Sequence, residues 1–266
     1  MDVKFIAMVG RRLKRFLRLF EDCFNRSEPR AHLETYVNGQ VSTLKRKSVE
    51  PMALKSGTAP RTLQSFLESV KWDEQRLRDR LQWVVAREHA DPNAIGTIDE
   101  SGYAKDGRHT ACTHRQWCGN LGKVGNCVVA VHAGYVAGDF HSILDSDLFM
   151  PESWAEDLPR RRAAYIPDDV EFRKKTEIAL GQVARALKNG IRVVGWTFDA
   201  FYGRDMDCRA WDRTMSRKSH VTSTDGWKSL GYCFGLRRKR CASLAGGGNS
   251  LELLARRYPR VRSATL

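Results

Sequence analysis

No apolar run in the chain approaches the roughly 18 residues that a membrane-crossing helix needs, so a helical membrane protein is not expected. A signal-peptide core is missing as well. The first 24 residues scatter Arg11, Arg12, Lys14, Arg15 and Arg18 among their apolar positions, whereas a secretion signal keeps its charge ahead of an unbroken apolar stretch. The seven cysteines (Cys23, Cys112, Cys118, Cys127, Cys208, Cys233 and Cys241) are odd in number and irregularly spaced. That excludes a regular disulfide framework and predicts reduced thiols in a cytoplasm. Neither a phosphate-cradling P-loop nor a dinucleotide-binding glycine pattern occurs, so no small-molecule substrate is expected through those motifs. Acids are also scarce, with Asp+Glu 31 against Lys+Arg 45, a net charge of +14 over 266 residues. Hydrophobic content of 42% is ordinary for a globular chain. The charge surplus therefore predicts a polyanionic partner, and nucleic acid is the commonest.

Two stretches of one design stand out in what is present. Ile95-Gly96-Thr97-Ile98-Asp99-Glu100-Ser101-Gly102-Tyr103 and Ile191-Arg192-Val193-Val194-Gly195-Trp196-Thr197-Phe198-Asp199-Ala200-Phe201-Tyr202-Gly203 each run apolar, reach an aspartate and break at a glycine beside a tyrosine. Apolar runs bounded by glycine read as buried strands. An acid at the end of such a strand sits at the sheet rim, where its carboxylate can face solvent or a metal. Asp99 and Asp199 can meet if their strands are neighbours.

In chain order, apolar residues from Val3 to Phe24 recur at helical spacing with arginines between them, giving one apolar and one basic face. Short helices continue to residue 90, punctuated by Pro51 and by Ser56-Gly57-Thr58-Ala59-Pro60. The helices flanking that turn resemble a helix-turn-helix reader, and Asp73 is a plausible N-cap for the next helix. Strands are predicted from Ala94, around Arg108 to Trp117, from Asn126 to Gly138, and extended again to Met150, an antiparallel meander. A helix from Val170 to Lys188, stopped by Asn189-Gly190, leads into the second aspartate strand. The order is β-β-β-α-β, a mixed α/β sheet behind an all-α region.

These segments resemble a known family. Thr97 to Gly107, Arg115 to Cys127, Leu148 to Trp154 and Phe198 to Asp205, together with Lys71-Trp72-Asp73, look like the corresponding segments of insertion-sequence transposases of the DDE superfamily. They occur in family order over roughly residues 10 to 207. The resemblance implies an RNase H-like fold and an Asp-Asp-Glu triad holding two divalent ions, Mg²⁺ or Mn²⁺. It implies DNA, both transposon ends and target, as partner, in a homo-oligomer. Asp99 and Asp199 are then the catalytic, metal-binding acids. Lys105, Arg108, Arg115 and Lys123, near Asp99 in the meander, are candidate phosphate contacts.

The departure lies in the tail. The family's Tyr-x-x-Arg-x-x-x-Glu pattern is not found after the second aspartate. Residues 208–266 hold thirteen Lys and Arg against Asp212, Asp225 and Glu252, a surplus of ten. That segment reads as truncated or frame-disrupted and poorly ordered. The expected organisation is a helical DNA-binding region over 1–92, an incomplete RNase H-like domain over 93–207 cut short after its fourth strand, and a basic tail over 208–266. A copy without its third acid would bind DNA without cutting it, as a remnant or as a regulator of an intact transposase. A plain nuclease using Glu252 or Asp205 is a further alternative. Tyr103 and Tyr202 read as packing groups, and Glu100 as a solvent or structural acid. Arg160-Arg161-Arg162 reads as a solvated turn. His109, Cys112, His114 and Cys118 are too tightly spaced for a structural zinc site, and Cys118 with Cys127 reads as two buried thiols.

Overall fold

The computed structural model describes residues 3–199, 201–202 and 220–223. The chain divides into two compact units, Met1–Leu81 and Gln82–Leu266.

The first unit is helical, with α1 (Val3–Arg18), α2 (Ser27–Val41), α3 (Val49–Lys55), α4 (Pro60–Glu68) and the start of α5 (Glu74–Glu88). The single helix predicted to Phe24 instead ends at Arg18. Glu21–Cys23 form a 3-10 turn, and Phe20, Cys23 and Phe24 drop into the core beside Met52, Leu63 and Phe66. Arg80 takes up the freed carbonyl of Leu19 (2.8 Å) and pairs with Asp22 (2.7 Å). The Phe24 ring lies 5.6 Å from Trp72 and 6.2 Å from Phe66. α2 and α3 pack against each other at Gly39, where a Cβ would stand 2.6 Å from the Met52 side chain. Asp73 caps α5, accepting from the Arg76 amide at 2.8 Å, as its side chain predicts. α3, a turn with Gly57 at φ +70°, and α4 form a helix–turn–helix succession. α4 buries Leu63 and Phe66 and leaves Arg61, Thr62 and Gln64 exposed.

Among the described residues the second unit is built on a six-stranded mixed sheet: β1 (Ile95–Ala104), β2 (His114–Cys118), β3 (Lys123–Ala137), β4 (Phe140–Leu148), β5 (Gly195–Phe198) and β6 (His220–Ser223). Its order is β2-β3-β1-β5-β6, with β4 also on β3. β1 pairs antiparallel with β3 along its whole length, Ile95 opposite Val136 and Ala104 opposite Cys127. β2 and β4 lie end to end along the other edge of β3, at Lys123–Cys127 and Ala130–Ala137. The predicted meander is therefore corrected: β2 forms a hairpin with β3 and does not lie between β1 and β3. The connection over 105–113 is long enough to cross, whereas β2 and β3 are joined only by the 3-10 turn Gly119–Leu121 and Gly122.

Two short helices, α6 (Glu152–Ala155) and α7 (Leu158–Ala163), precede α8 (Lys175–Lys188). α8 buries Ile178, Ala179, Val183 and Ala186 against the sheet, and Gly190 at φ +89° ends it after Asn189. It starts at Lys175 and not at Val170, because the buried Arg161 guanidinium binds the carbonyls of Pro167 (2.8 Å) and Val170 (2.7 Å) and holds that stretch out of the helix. α8 returns the chain to β5, parallel to β1. Antiparallel strands on one side of β1, a helical crossover and a parallel strand on the other make the expected RNase H-like mixed sheet, which follows the all-α region in the chain. The sheet also continues past residue 207. β6 pairs parallel with β5, from Gly195 opposite His220 to Phe198 opposite Ser223, which corrects the expectation of an end after the fourth strand. Its four residues, His-Val-Thr-Ser, are too short to give a readable period. Asp205, Asp207 and Glu252, and the rest of the tail, lie outside the described residues. Among the described residues no helix is long and apolar enough to cross a membrane.

Candidate functional site

Ladder register brings the two aspartates together. β1 and β5 pair in parallel as Ile95–Gly195, Gly96–Trp196 and Thr97–Thr197. The same offset carries Ile98 to Phe198 and Asp99 to Asp199, one residue beyond the end of β5. Neighbouring strands lie about 4.8 Å apart. Alternation then puts both carboxylates on one sheet face, since Ile98, Trp196 and Phe198 are buried on the other. Gly96 permits this closeness, because a Cβ there would lie 2.4 Å from the Trp196 ring.

Both carboxyls are exposed at the rim and anchored to backbone. Asp99 accepts from the Glu100 amide (2.8 Å), and Asp199 accepts from the Tyr202 amide (3.2 Å). The surrounding strands strip part of the water from Asp99. That desolvation raises its pKa, and the charges of Asp199 and Glu100 add to the rise. Neither aspartate has a cationic side-chain partner among the salt bridges of the described residues. Two adjacent carboxylates with uncompensated charge suit a hard divalent cation, which takes oxygen ligands. Among the described residues no third His, Cys, Asp or Glu joins them in a group of three or more.

Glu100 faces the other way, as strand alternation demands. It pairs with Lys175 at 2.8 Å and accepts a 3.5 Å contact from the Tyr202 hydroxyl. It is a structural acid that ties β1 to the start of α8. Tyr202 is fully buried, and its pKa is raised by burial first and then by Glu100, Asp199 and Asp99. Tyr103, by contrast, is not a packing group: its ring is 67% exposed.

The four candidate cations separate. Arg115 is exposed and pairs with Asn126, on the Asp99 face of the sheet. Lys105 continues the β1 ladder through its amide to Asn126 (2.9 Å) and falls on that same face. Arg108 sits in the exposed connection that follows. Lys123 pairs with buried Cys118, so its position points to the opposite face. Arg160-Arg161-Arg162 is not a uniformly solvated turn: Arg160 stacks over Trp154 at 3.8 Å, Arg161 is buried, and Arg162 pairs with Asp168 at 3.1 Å. Cys112 packs with Met150 and Trp154, and Cys118 with Cys127 and Val129. His109, Cys112, His114 and Cys118 are thus not gathered into one cluster.

Sequence reasoning missed His132. It pairs across the ladder with Asp99 and contacts the Ser101 hydroxyl at 2.7 Å through Nε2. Burial lowers its pKa, and the Asp99 charge partly offsets this. The available signal was a single histidine interrupting the apolar run Val128 to Val136.

Comparison with known proteins bears on this site. A family model described as DDE superfamily endonuclease matches residues 19–216. A curated relative from Microchaete diplosiphon, named "Probable transposase for insertion sequence element IS701", is 32% identical over 167 residues. That alignment covers 62% of this chain and 41% of the relative, so the chain spans about two fifths of the length of the curated protein it matches.

Proposed function

The chain belongs to the DDE superfamily of endonucleases, and from that premise we propose that it acts as the transposase of an insertion sequence, cutting and joining DNA strands at the ends of its element. The observation that supports this most is the β1–β5 register, which brings Asp99 and Asp199 to adjacent strand ends, where their charges interact. Their residue types and placement suit metal-dependent attack on a phosphodiester. A divalent ion bound there would lower the pKa of a bound water and stabilise the leaving oxygen. Asp99 and Asp199 would hold that ion, their backbone amide contacts fixing each carboxyl. His132 and Ser101 would keep the neighbouring rungs in place. Arg115, Lys105 and Arg108 would hold phosphates beside the acids, consistent with the +14 charge of the chain. The exposed Arg61, Thr62 and Gln64 at the start of α4 suit contact with base edges, in the manner of a helix-turn-helix reader. DNA is the partner in this reading, and a homo-oligomer holds the two ends.

The test is a cleavage assay on labelled duplex DNA carrying the element's terminal repeats, with Mg²⁺ or Mn²⁺, beside Asp99→Ala and Asp199→Ala. Nicking at the repeat ends that both variants abolish is the expected result. Repeat-specific binding with no metal-dependent nicking would overturn the catalytic reading and leave a DNA-holding protein of the same family. Nicking without regard to the repeats would leave a general nuclease.

A further inference from the structure

We propose that the sheet face carrying Asp99 and Asp199 continues, over β1, β3 and β2, as a stacking platform for the bases of an unpaired DNA strand, with Tyr103 and Trp117 as its aromatic groups. The proposal rests on the DNA-processing reading above and adds the state of the DNA that the face receives.

The register defines the face. From Asp99, the residues of β1 on that side are Ser101 and Tyr103, and their β3 partners are Ala130 and Val128. Further along β3 come Asn126, paired with Arg115, and Val124, paired with Trp117. Residues on one face of a strand recur every ~6.7 Å, so Tyr103 is roughly 13 Å along β1 from Asp99. Trp117 flanks β3 from the opposite edge, another ~13 Å further on. Lys105 and Arg115 lie at the Asn126 rung, between the two aromatic rings.

Large apolar groups are left in water along this side. Trp117 is 58% exposed and Val124 50%, besides Tyr103. The same strands pack a small core on their other side. Cys118, Cys127 and Val129 are buried there. The Gly119–Leu121 turn runs close beneath β1, where a Gly102 Cβ would meet Cys118 at 3.2 Å. The exposed side is therefore not needed to complete the local core. Strands β1 to β4 present no acid on that face other than Asp99, since Glu100, Asp145 and Asp147 all turn towards α8.

A sheet face with exposed aromatic rings, flanking cations and, over β1 to β4, no acid beyond Asp99 is complementary to a nucleic acid strand. Rings lying on a sheet cannot reach bases stacked inside a duplex, whereas an unpaired strand offers each base's π-face. A strand placed with a phosphate at the two acids would carry its following nucleotides over Tyr103 and the Lys105–Arg115 row. Trp117 would receive bases beyond them.

The experiment measures fluorescence anisotropy of the full chain without metal ion. The probes are a labelled oligothymidylate and an abasic strand of equal length and charge. Base stacking predicts about tenfold or more tighter binding of the strand with bases. Tyr103→Ala and Trp117→Ala should each weaken that strand towards the abasic level, leaving abasic binding and the thermal midpoint unchanged, and Trp117→Phe should retain the affinity. Equal affinity for the two strands would overturn the proposal, as would alanine variants that weaken both alike. A change in sedimentation with no change in DNA binding would also overturn it and assign the face to a second copy of the chain. Because no metal is present, failure of cleavage in the repeat-end assay leaves this result standing, and equal binding of the two strands leaves the cleavage reading untouched.

Discussion

Cys112 and Cys127 are buried thiols in separate clusters; burial pushes the Cys112 pKa up to about 11 from an ordinary 9.0, and burial together with the adjacent Cys118 thiol raises that of Cys127. Between those values the unfolded chain loses thiol protons that the folded chain keeps, so stability present below pH 9 is lost as pH rises towards 11. The effect is of the order of 2 kcal/mol for Cys112. Denaturant melts at pH 8 and pH 10.5 should show this loss, and Cys112→Ala should flatten the pH slope while lowering stability at pH 8. Alkylation of Cys112 and Cys127, read by peptide mapping, should be slow in the folded chain at pH 8 and fast on unfolding. Tyr103 shows where residue-level reading of a sequence fails. Its neighbour Gly102 and the apolar run before it suggest burial, but the face it takes is known only once the β1–β3 register is known. Arg115 and Lys123 are both basic and both follow Asp99 in the meander, and pairing alone sends them to opposite sides.

Elements whose signals are local were legible in the chain. Apolar runs broken by glycine marked β1 and β3, Asp73 marked the start of α5, and Asn189-Gly190 marked the end of α8. Long-range contacts set the rest. α1 stops where Arg80 takes the Leu19 carbonyl, 61 residues away in sequence. α8 starts late because Arg161 claims the carbonyls ahead of it. β2 starts at His114, after the turn in which Cys112 takes φ +62°. Among the glycines, Gly96 has the most demanding role, since the Trp196 ring leaves no room for a Cβ. Gly96→Ala should splay the β1–β5 seam, costing about 1–3 kcal/mol, and should reduce repeat-end cleavage more than the stability loss alone explains. Gly134→Ala is the control. Its Cβ would meet Thr97 Oγ1 at 2.4 Å, the end of a side chain that can rotate away, so a smaller loss of thermal midpoint is expected.

At the scale of the molecule, two aspartates a hundred residues apart come together at adjacent strand ends because hydrogen bonding fixes the offset between β1 and β5. The intervening stretch has no part in setting it. Contour length between the acids is therefore a free variable, while phase within the two strands is not. A one-residue change inside a strand sends every later side chain to the opposite face. Three Gly-Ser residues inserted in the exposed Asp169–Arg173 segment should leave repeat-end cleavage within about threefold of the parent, the added loop entropy being small. A single residue inserted between Thr197 and Phe198 should abolish cleavage, although it lengthens the chain less. In engineering terms, the fold tolerates cargo carried between its acids and does not tolerate frame slippage beside them.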